Sequence, residues 1–235
     1  MTRLFPLLSW AVIGSVSCIA AEYTFSGSDN DGPLKVTATI TLSGATATVV
    51  LHNLSTNPGP SGDAPGEEIS GFSFNLSGGI TESRVTSATG LLGTVSDGGP
   101  ANGTVSSLTR WITGSAGSAC GLSGITLCAL GDGKPNEMII GPPNNGSDYH
   151  INGGVRNFNS TAFESATFVI ALSSATTAST TISNVKFAFG TGPDAVDAGL
   201  DPPTPTPEPR WGAMLLLMLG APLVLALRRF TANRA

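Results

Sequence analysis

The chain has 235 residues, enough for one domain of ordinary size once terminal targeting segments are subtracted. Only 11% of the residues are charged, whereas there are 30 glycines and 16 prolines. This composition predicts a turn-rich fold without long charged helices. Between Glu22 and Pro209 lie six basic and all 16 acidic residues, a net charge of −10 that disfavours binding to nucleic acids or directly to anionic membrane surfaces.

The first 21 residues follow the charged, apolar and small-residue order of a secretory signal peptide and are expected to form an N-terminal signal helix. Arg3 precedes an apolar run at residues 4–13, which small residues follow up to Ala21. Cleavage after Ala20 and cleavage after Ala21 fit equally well. A retained anchor is the alternative, although the apolar run is shorter than the roughly 20 residues that span a bilayer. Cys18 raises a lipoprotein alternative, but the large aliphatic residue usual three positions earlier is missing.

Residues 22–200 are predicted to form one β domain. Residues 34–42 are apolar at every even position and polar at every odd one, the pattern of a half-buried strand. A turn at Ser43-Gly44 and renewed alternation at residues 45–51 predict a hairpin. Three later sets of apolar residues alternate in the same way: Phe72, Phe74 and Leu76; Phe168, Ile170 and Leu172; and Val185, Phe187 and Phe189.

Short alternating strands separated by glycine, asparagine, serine and proline favour an all-β fold. We expect an antiparallel two-sheet sandwich, of jelly-roll or immunoglobulin-like topology, because a parallel sheet would need helices between its strands. Residues 77–159 are weakly patterned, and we expect loops there with short strands near Trp111 and residues 138–140.

The C-terminus has three parts in a fixed order. Residues 201–209 form a proline-rich linker, expected to be a stiff polyproline spacer, that ends in Pro-Glu-Pro. An uncharged stretch at 211–227 follows, at the short limit for a single transmembrane helix. Basic residues come last, and they place this end in the cytoplasm and the domain on the other side. These arginines are Arg228, Arg229 and Arg234.

Pro207, Glu208 and Pro209, one short apolar helix and a terminal arginine cluster together resemble the PEP-CTERM sorting signal of Gram-negative bacteria. The resemblance covers about the last thirty residues, from the linker through the segment at 210–235. It implies that a membrane-embedded cysteine protease, exosortase, recognises Pro-Glu-Pro and that the helix and arginines are removed after export. Thr206 stands where such signals commonly have valine. An ordinary single-pass anchor is the alternative.

Cys120 and Cys128 remain as a pair if Cys18 leaves with the signal peptide. Two cysteines in an exported protein predict one disulfide across a short loop. A metal site is not predicted, because neither a CxxC spacing nor paired histidines are present. The turn at residues 29–32 starts like a calcium loop, but its twelfth position is Ile40, so a solvated turn is preferred. Three aspartates, Asp194, Asp197 and Asp201, leave a second calcium possibility open.

Neither a catalytic motif nor a cofactor motif occurs in the chain. His52 and His150 are the two histidines, and no Gly-x-Ser-x-Gly or His-Glu-x-x-His sequence accompanies them. We therefore expect no enzyme and no cofactor, and keep a secreted hydrolase as the weakest hypothesis. A carbohydrate-binding module is the stronger alternative, with Trp111 as its ligand contact, because sugars stack on aromatic rings.

The leading hypothesis is a structural protein of the cell surface or extracellular matrix. Its expected partners are the Sec translocon, an exosortase-type protease and, in the alternative hypothesis, exopolysaccharide. The precursor is expected in the inner membrane and the processed form at the cell surface or outside the cell.

Overall fold

A computed structural model describes residues 18–28, 32–57, 62–114, 119–131, 135–192 and 194–198. Most of these residues lie in β-strands, which confirms the all-β class. The linker at 201–209 and the segment at 210–235 lie outside the described residues, as do residues 1–17 of the predicted signal peptide. Within the described ranges, no helix combines the length and apolar character needed to cross a bilayer.

The described strands are short to medium in length and are joined by turns. In chain order they are β1 (Cys18–Ser28), β2 (Pro33–Ser43), β3 (Thr46–Asn53), β4 (Ile69–Leu76), β5 (Glu82–Gly93), β6 (Gly103–Ser107), β7 (Ile125–Cys128), β8 (Ile139–Ile140), β9 (Thr161–Leu172), β10 (Ile182–Phe189) and β11 (Asp194–Asp197). The helical elements in the described ranges include two 3-10 turns, Pro65–Glu67 and Ser77–Gly79, and the four-residue helix α1 (Gly153–Arg156).

These strands form one curled mixed sheet. Its main path runs β1-β2-β3-β9-β8-β4-β10-β11, with β5 and β6 added beside β9 and β7 added beside β4. The expectation of purely antiparallel pairing is wrong for one pair of the named strands, since β8 runs parallel to β9. The two-residue β8 links Ile69 of β4 to Ala162 of β9, and so joins the two parts of the sheet.

The predicted alternation places the apolar side chains in the core. The even positions of β2 and the odd positions of β3 are at most 4% exposed, and the two strands form the predicted hairpin. The apolar sets in β4, β9 and β10 are buried as well. Phe72 and Phe187 meet at the centre, with ring centroids 5.1 Å apart. Burying a side chain of this size contributes about 1.5–3 kcal/mol, so this core is the main stabilising feature.

Strand β5 is the main difference from the expected fold. The 12 residues from Glu82 to Gly93 were expected to lie in a loop-rich region, but they pair with β9 along its whole length. Most of their side chains are polar or partly exposed, and Ala88 is the one that is buried. A strand with polar residues on both faces has no period-two signal, because its position is fixed by its neighbour and not by a buried face.

The predicted disulfide is confirmed between Cys120 and Cys128, whose Cα atoms are 6.0 Å apart. Its loop packs against β4 at Gly71, where an added Cβ would lie 2.8 Å from Leu122 and 3.0 Å from the Cys120 sulfur. Glycine at this position therefore permits the close approach of the loop to the strand.

Removing this disulfide is expected to lower the free energy of unfolding by about 2 kcal/mol. The loop is short, so the bond restricts the unfolded chain only modestly. The measurement is chemical denaturation of the Cys120→Ala/Cys128→Ala variant against the oxidised protein. An unchanged midpoint would mean that the loop is held by its packing alone.

β1 begins inside the predicted signal segment. Cys18 pairs with Ser43 and Ala21 pairs with Ile40, so residues 18–21 are strand where the signal helix was expected to end. Cleavage after Ala21 would leave residues 22–28 as β1.

Candidate functional site

The most unusual polar feature is an acidic cluster formed by Asp63, Glu67 and Glu68, just before β4. Their side chains are only 2%, 3% and 0% exposed. This cluster was not singled out from the sequence. Two adjacent glutamates before an apolar strand give no signal that separates buried from solvated carboxyl groups.

Backbone hydrogen bonds hold Asp63 against a second loop. Its N–H donates to the carbonyl of His150 (2.8 Å), and its carbonyl accepts from Asn152 (2.9 Å). The Asp63 carboxylate accepts from the backbone N–H of Asn57 (2.8 Å). Asn144 completes the connection, since its amide nitrogen donates to the carbonyls of Asn57 (2.9 Å) and His150 (2.7 Å). The two loops are thus joined by the backbone of the buried Asp63 and by the side chain of the partly buried Asn144.

Burial controls the protonation of the acidic cluster. Loss of solvation raises the pKa of Asp63 to about 6, against the smaller lowering effect of its hydrogen bonds to Asn57 and Asn144. The pKa of Glu68 lies well above its usual value, because of burial first and of repulsion by Asp63 and Glu67 second. Neither carboxyl oxygen of Glu68 has a hydrogen-bond partner among the described residues. The fold therefore favours the neutral, protonated form of Glu68.

Tyr149 lies beside this cluster. Its hydroxyl donates to the carbonyl of Gly141 (2.9 Å), and its ring packs against Phe163 with centroids 5.6 Å apart. Burial, followed by the nearby carboxylates of Glu164, Asp63 and Glu68, raises the pKa of the hydroxyl. Tyr149 therefore stays a neutral hydrogen-bond donor and is unsuited to act as a base.

A second polar group lies at the surface, where Asp97 receives three donors. The backbone N–H of Ile151 approaches its carboxylate to 3.2 Å, Nδ1 of His150 to 3.0 Å and the guanidinium of Arg156 to 3.5 Å. The bonds from Ile151 and His150, in that order, lower the pKa of Asp97. Arg156 ends the short helix α1, whose start is capped by the Asn152 side chain.

The Asp97–His150 pair has part of the geometry of a catalytic triad, in which a carboxylate orients a histidine base. A triad also needs a nucleophile at the other ring nitrogen. Ser147, the serine nearest to His150 in sequence, bonds instead with the carboxylate of Asp148 (3.4 Å). His150 and Asp97 are 40% and 38% exposed, so water weakens their interaction. His52 has an exposed side chain on β3 and belongs to neither polar group.

Trp111 lies in the core and not at the surface. It is 4% exposed, its ring centroid is 4.8 Å from that of Phe168, and its indole N–H donates to the carbonyl of Glu137 (2.8 Å). The Glu137 carboxylate accepts in turn from the backbone N–H of Arg110 (2.8 Å). A ring enclosed in this way offers no open face to a sugar. The proposed ligand contact at Trp111 is therefore corrected to a core contact, and the expected short strand there is a single bridge from Ile112 to Cys128.

An open cleft of about 410 Å³ lies at the end of the β5–β6 hairpin. Polar residues of the hairpin loop, among them Thr94, Ser96 and Asn102, line it together with Thr104 of β6. Hydroxyl and amide groups of this kind suit hydrogen bonding to a polar ligand. No sequence pattern marked these residues, because they are common in any turn.

No group of three or more His, Cys, Asp and Glu side chains in the described ranges is arranged to hold a metal ion. Asp197 forms an ion pair with Lys186 (3.0 Å), and Asp194 lies at the other end of β11. Asp201 and the aspartates of the turn at residues 29–31 lie outside the described residues.

Comparison of the chain with protein-family models, with curated proteins and with solved structures finds no match.

Proposed function

We propose that the chain is an exported structural protein of the cell surface or extracellular matrix, delivered by a PEP-CTERM-type sorting signal. The observation that carries this proposal is the order of Pro207-Glu208-Pro209, apolar stretch and arginine cluster. The Sec translocon and an exosortase-type protease are the partners that this order implies. The Cys120–Cys128 disulfide supports export, because such bonds persist in oxidising compartments outside the cytoplasm.

The use of the polar groups supports a scaffolding role for the domain. The hydrogen bonds made by Asp63, Asn144 and Asp97 connect loops to one another. We propose that the two parts of the curled sheet pack as the layers of a sandwich, of jelly-roll or immunoglobulin-like type. Such a body, held away from the membrane by the linker at 201–209, needs no catalytic residue to act in a matrix.

Intact mass and cell fractionation in a host that carries exosortase test the sorting proposal. We expect a mature form that lacks the residues after the Pro-Glu-Pro motif and is found outside the inner membrane. The Pro209→Ala variant should accumulate as an inner-membrane precursor, because the recognition motif is broken. Pro203→Ala, in the same linker but outside the motif, is the matched control and should be processed normally. Full-length wild-type protein kept in the inner membrane would show a simple anchor.

A carbohydrate-binding module is the second candidate function, and the cleft beside the β5–β6 hairpin is the observation that favours it. Exopolysaccharide would be held there by hydrogen bonds and not by stacking on Trp111. Pull-down on the host's exopolysaccharide, compared between wild type and Asn102→Ala, tests this candidate. A secreted hydrolase ranks third, and ester or glycoside turnover that disappears in His150→Ala would favour it.

A further inference from the structure

In the described part of the sheet, four strands pair with a single neighbouring strand: β1 with β2, β6 with β5, β7 with β4 and β11 with β10. All four residues of β7 are buried and its last residue, Cys128, also pairs with Ile112, which leaves β1, β6 and β11 as the edge strands. An edge strand presents unpaired N–H and C=O groups to any chain that approaches it, and proteins commonly block such edges with charged residues. β1 carries Glu22, and β11 begins and ends with aspartate.

β6 differs from the other two edges because it carries no charge. Its sequence is Gly-Thr-Val-Ser-Ser, and no charged residue occurs between Asp97 and Arg110. Its partner segment in β5, residues 89–93, is uncharged too. Among the described edge strands, β6 is thus the one without an electrostatic block to pairing.

Val105, at the centre of β6, is 75% exposed. Among the described residues it is the more exposed of the two large apolar side chains that face solvent. Its cross-strand partner is Leu91, which packs against the small core cluster around Tyr149 and Phe163. Directly paired residues of neighbouring strands point to the same side of a sheet. The side chain of Val105 therefore lies on the same side of the sheet as this cluster, but no other part of the described chain covers it.

We propose that β6 pairs edge to edge with β6 of a second copy of this chain, antiparallel and centred on Val105. A two-fold axis at Val105 places the two Val105 side chains opposite each other. It also places Thr104 opposite Ser106 and Gly103 opposite Ser107. Each of these pairs joins small, uncharged residues, and a Thr–Ser pair can form a cross-strand hydrogen bond. The strand is therefore complementary to itself.

Charge explains why the second copy binds here. Two domains with a net charge of −10 repel each other over most orientations, so contact is favoured where the approaching surfaces are neutral. The uncharged strand β6 and its uncharged partner segment, residues 89–93 of β5, meet that condition on both molecules at once. A two-fold contact closes on itself, so it yields a dimer and not a fibre. In this way the pairing would link neighbouring copies in a surface layer, where their local concentration is high.

A cysteine scan of β6 in the full-length protein, made in its own host, tests the pairing and its register. Directly opposed residues of antiparallel strands have Cα atoms about 4.5–5.5 Å apart, a distance that a disulfide spans. Val105→Cys should give a disulfide-linked dimer on mild oxidation, seen by non-reducing electrophoresis. Thr104→Cys and Ser106→Cys should each give little dimer alone and a mixed dimer when expressed together. Leu54→Cys, also exposed but not on an edge strand, is the matched control.

Sedimentation equilibrium of the purified protein gives the second measurement. Wild type should show a monomer–dimer equilibrium that Val105→Lys weakens at least tenfold and that Leu54→Lys leaves unchanged. A wild type that stays monomeric up to about 1 mM would overturn the proposal, since weaker association is not specific. Equal cross-linking of Leu54→Cys and Val105→Cys, or cross-links from Val105→Cys to other proteins only, would overturn it as well. Each result is independent of whether the C-terminal segment is cleaved.

Discussion

Raising the pH from about 4 to about 7 is expected to destabilise the folded domain by about 2 kcal/mol through Asp63 alone. Its pKa rises from 3.8 in the unfolded chain to about 6 in the folded one, so the folded state holds the proton more tightly. The stabilisation is therefore complete below pH 3.8 and is lost as the pH rises through 6. Glu68 acts in the same direction, because burial raises its pKa as well.

Thermal unfolding between pH 3.5 and 8 is the measurement, and a loss of this size lowers Tm by roughly 4–8 °C. Asp97 affects stability in the opposite direction. Its pKa is lowered in the folded state, so its contribution to the stability of the fold is lost as the pH falls. Stability should therefore be greatest near pH 4.

Asp63→Asn separates Asp63 from the other carboxyl groups. Asparagine keeps the oxygen that accepts from Asn57 but has no charge, so its profile should be flatter than that of wild type between pH 4 and 6. Glu68→Gln should be more stable than wild type at pH 7.5, because a neutral side chain replaces one that resists ionisation. Glu22→Gln, at an exposed position of β1, is the control and should change little. Parallel profiles for wild type and Asp63→Asn would show that Asp63 titrates normally.

Trp111→Ala is expected to lower the free energy of unfolding by about 3–5 kcal/mol, the usual cost of removing a large buried aromatic side chain. The change leaves a cavity beside Phe168 and leaves the carbonyl of Glu137 without its indole donor. Trp111→Phe keeps the ring contact and loses the hydrogen bond, so it should cost about 1–3 kcal/mol. Urea denaturation, followed to the midpoint and slope, gives both values.

Trp111→Ala also separates stability from ligand binding. If the variant loses sugar binding only under conditions in which it is unfolded, the loss reports unfolding of the domain and not the loss of a stacking surface. Leu54→Ala, which shortens an exposed side chain, is the control and should lie within about 0.5 kcal/mol of wild type. A Trp111→Ala variant as stable as wild type would show that the indole is not part of the core.

The strands that were predictable are those with one buried face. Apolar and polar residues alternate in β2, β3, β9 and β10 because one side of each strand packs against the core. This alternation can be recognised from the sequence alone. The turn between β2 and β3 has a local signal of its own in Ser43-Gly44, because Gly44 adopts a positive φ of 56° that glycine tolerates best. The disulfide followed from counting cysteines. β5 was missed because its side chains do not need a particular face, and β8 was anticipated only as a short apolar run.

The sequence by itself determined the all-β class, the apolar core positions, the cysteine pair and the order of the terminal segments from which export is proposed. Each of these depends on local pattern or on composition, which a linear chain displays directly. Only the tertiary structure decided that Trp111 is buried, that Asp63 and Glu68 lose their water, and that Val105 lies on an uncovered edge. Exposure depends on what residues distant in the chain place over a side chain, and no local pattern records that.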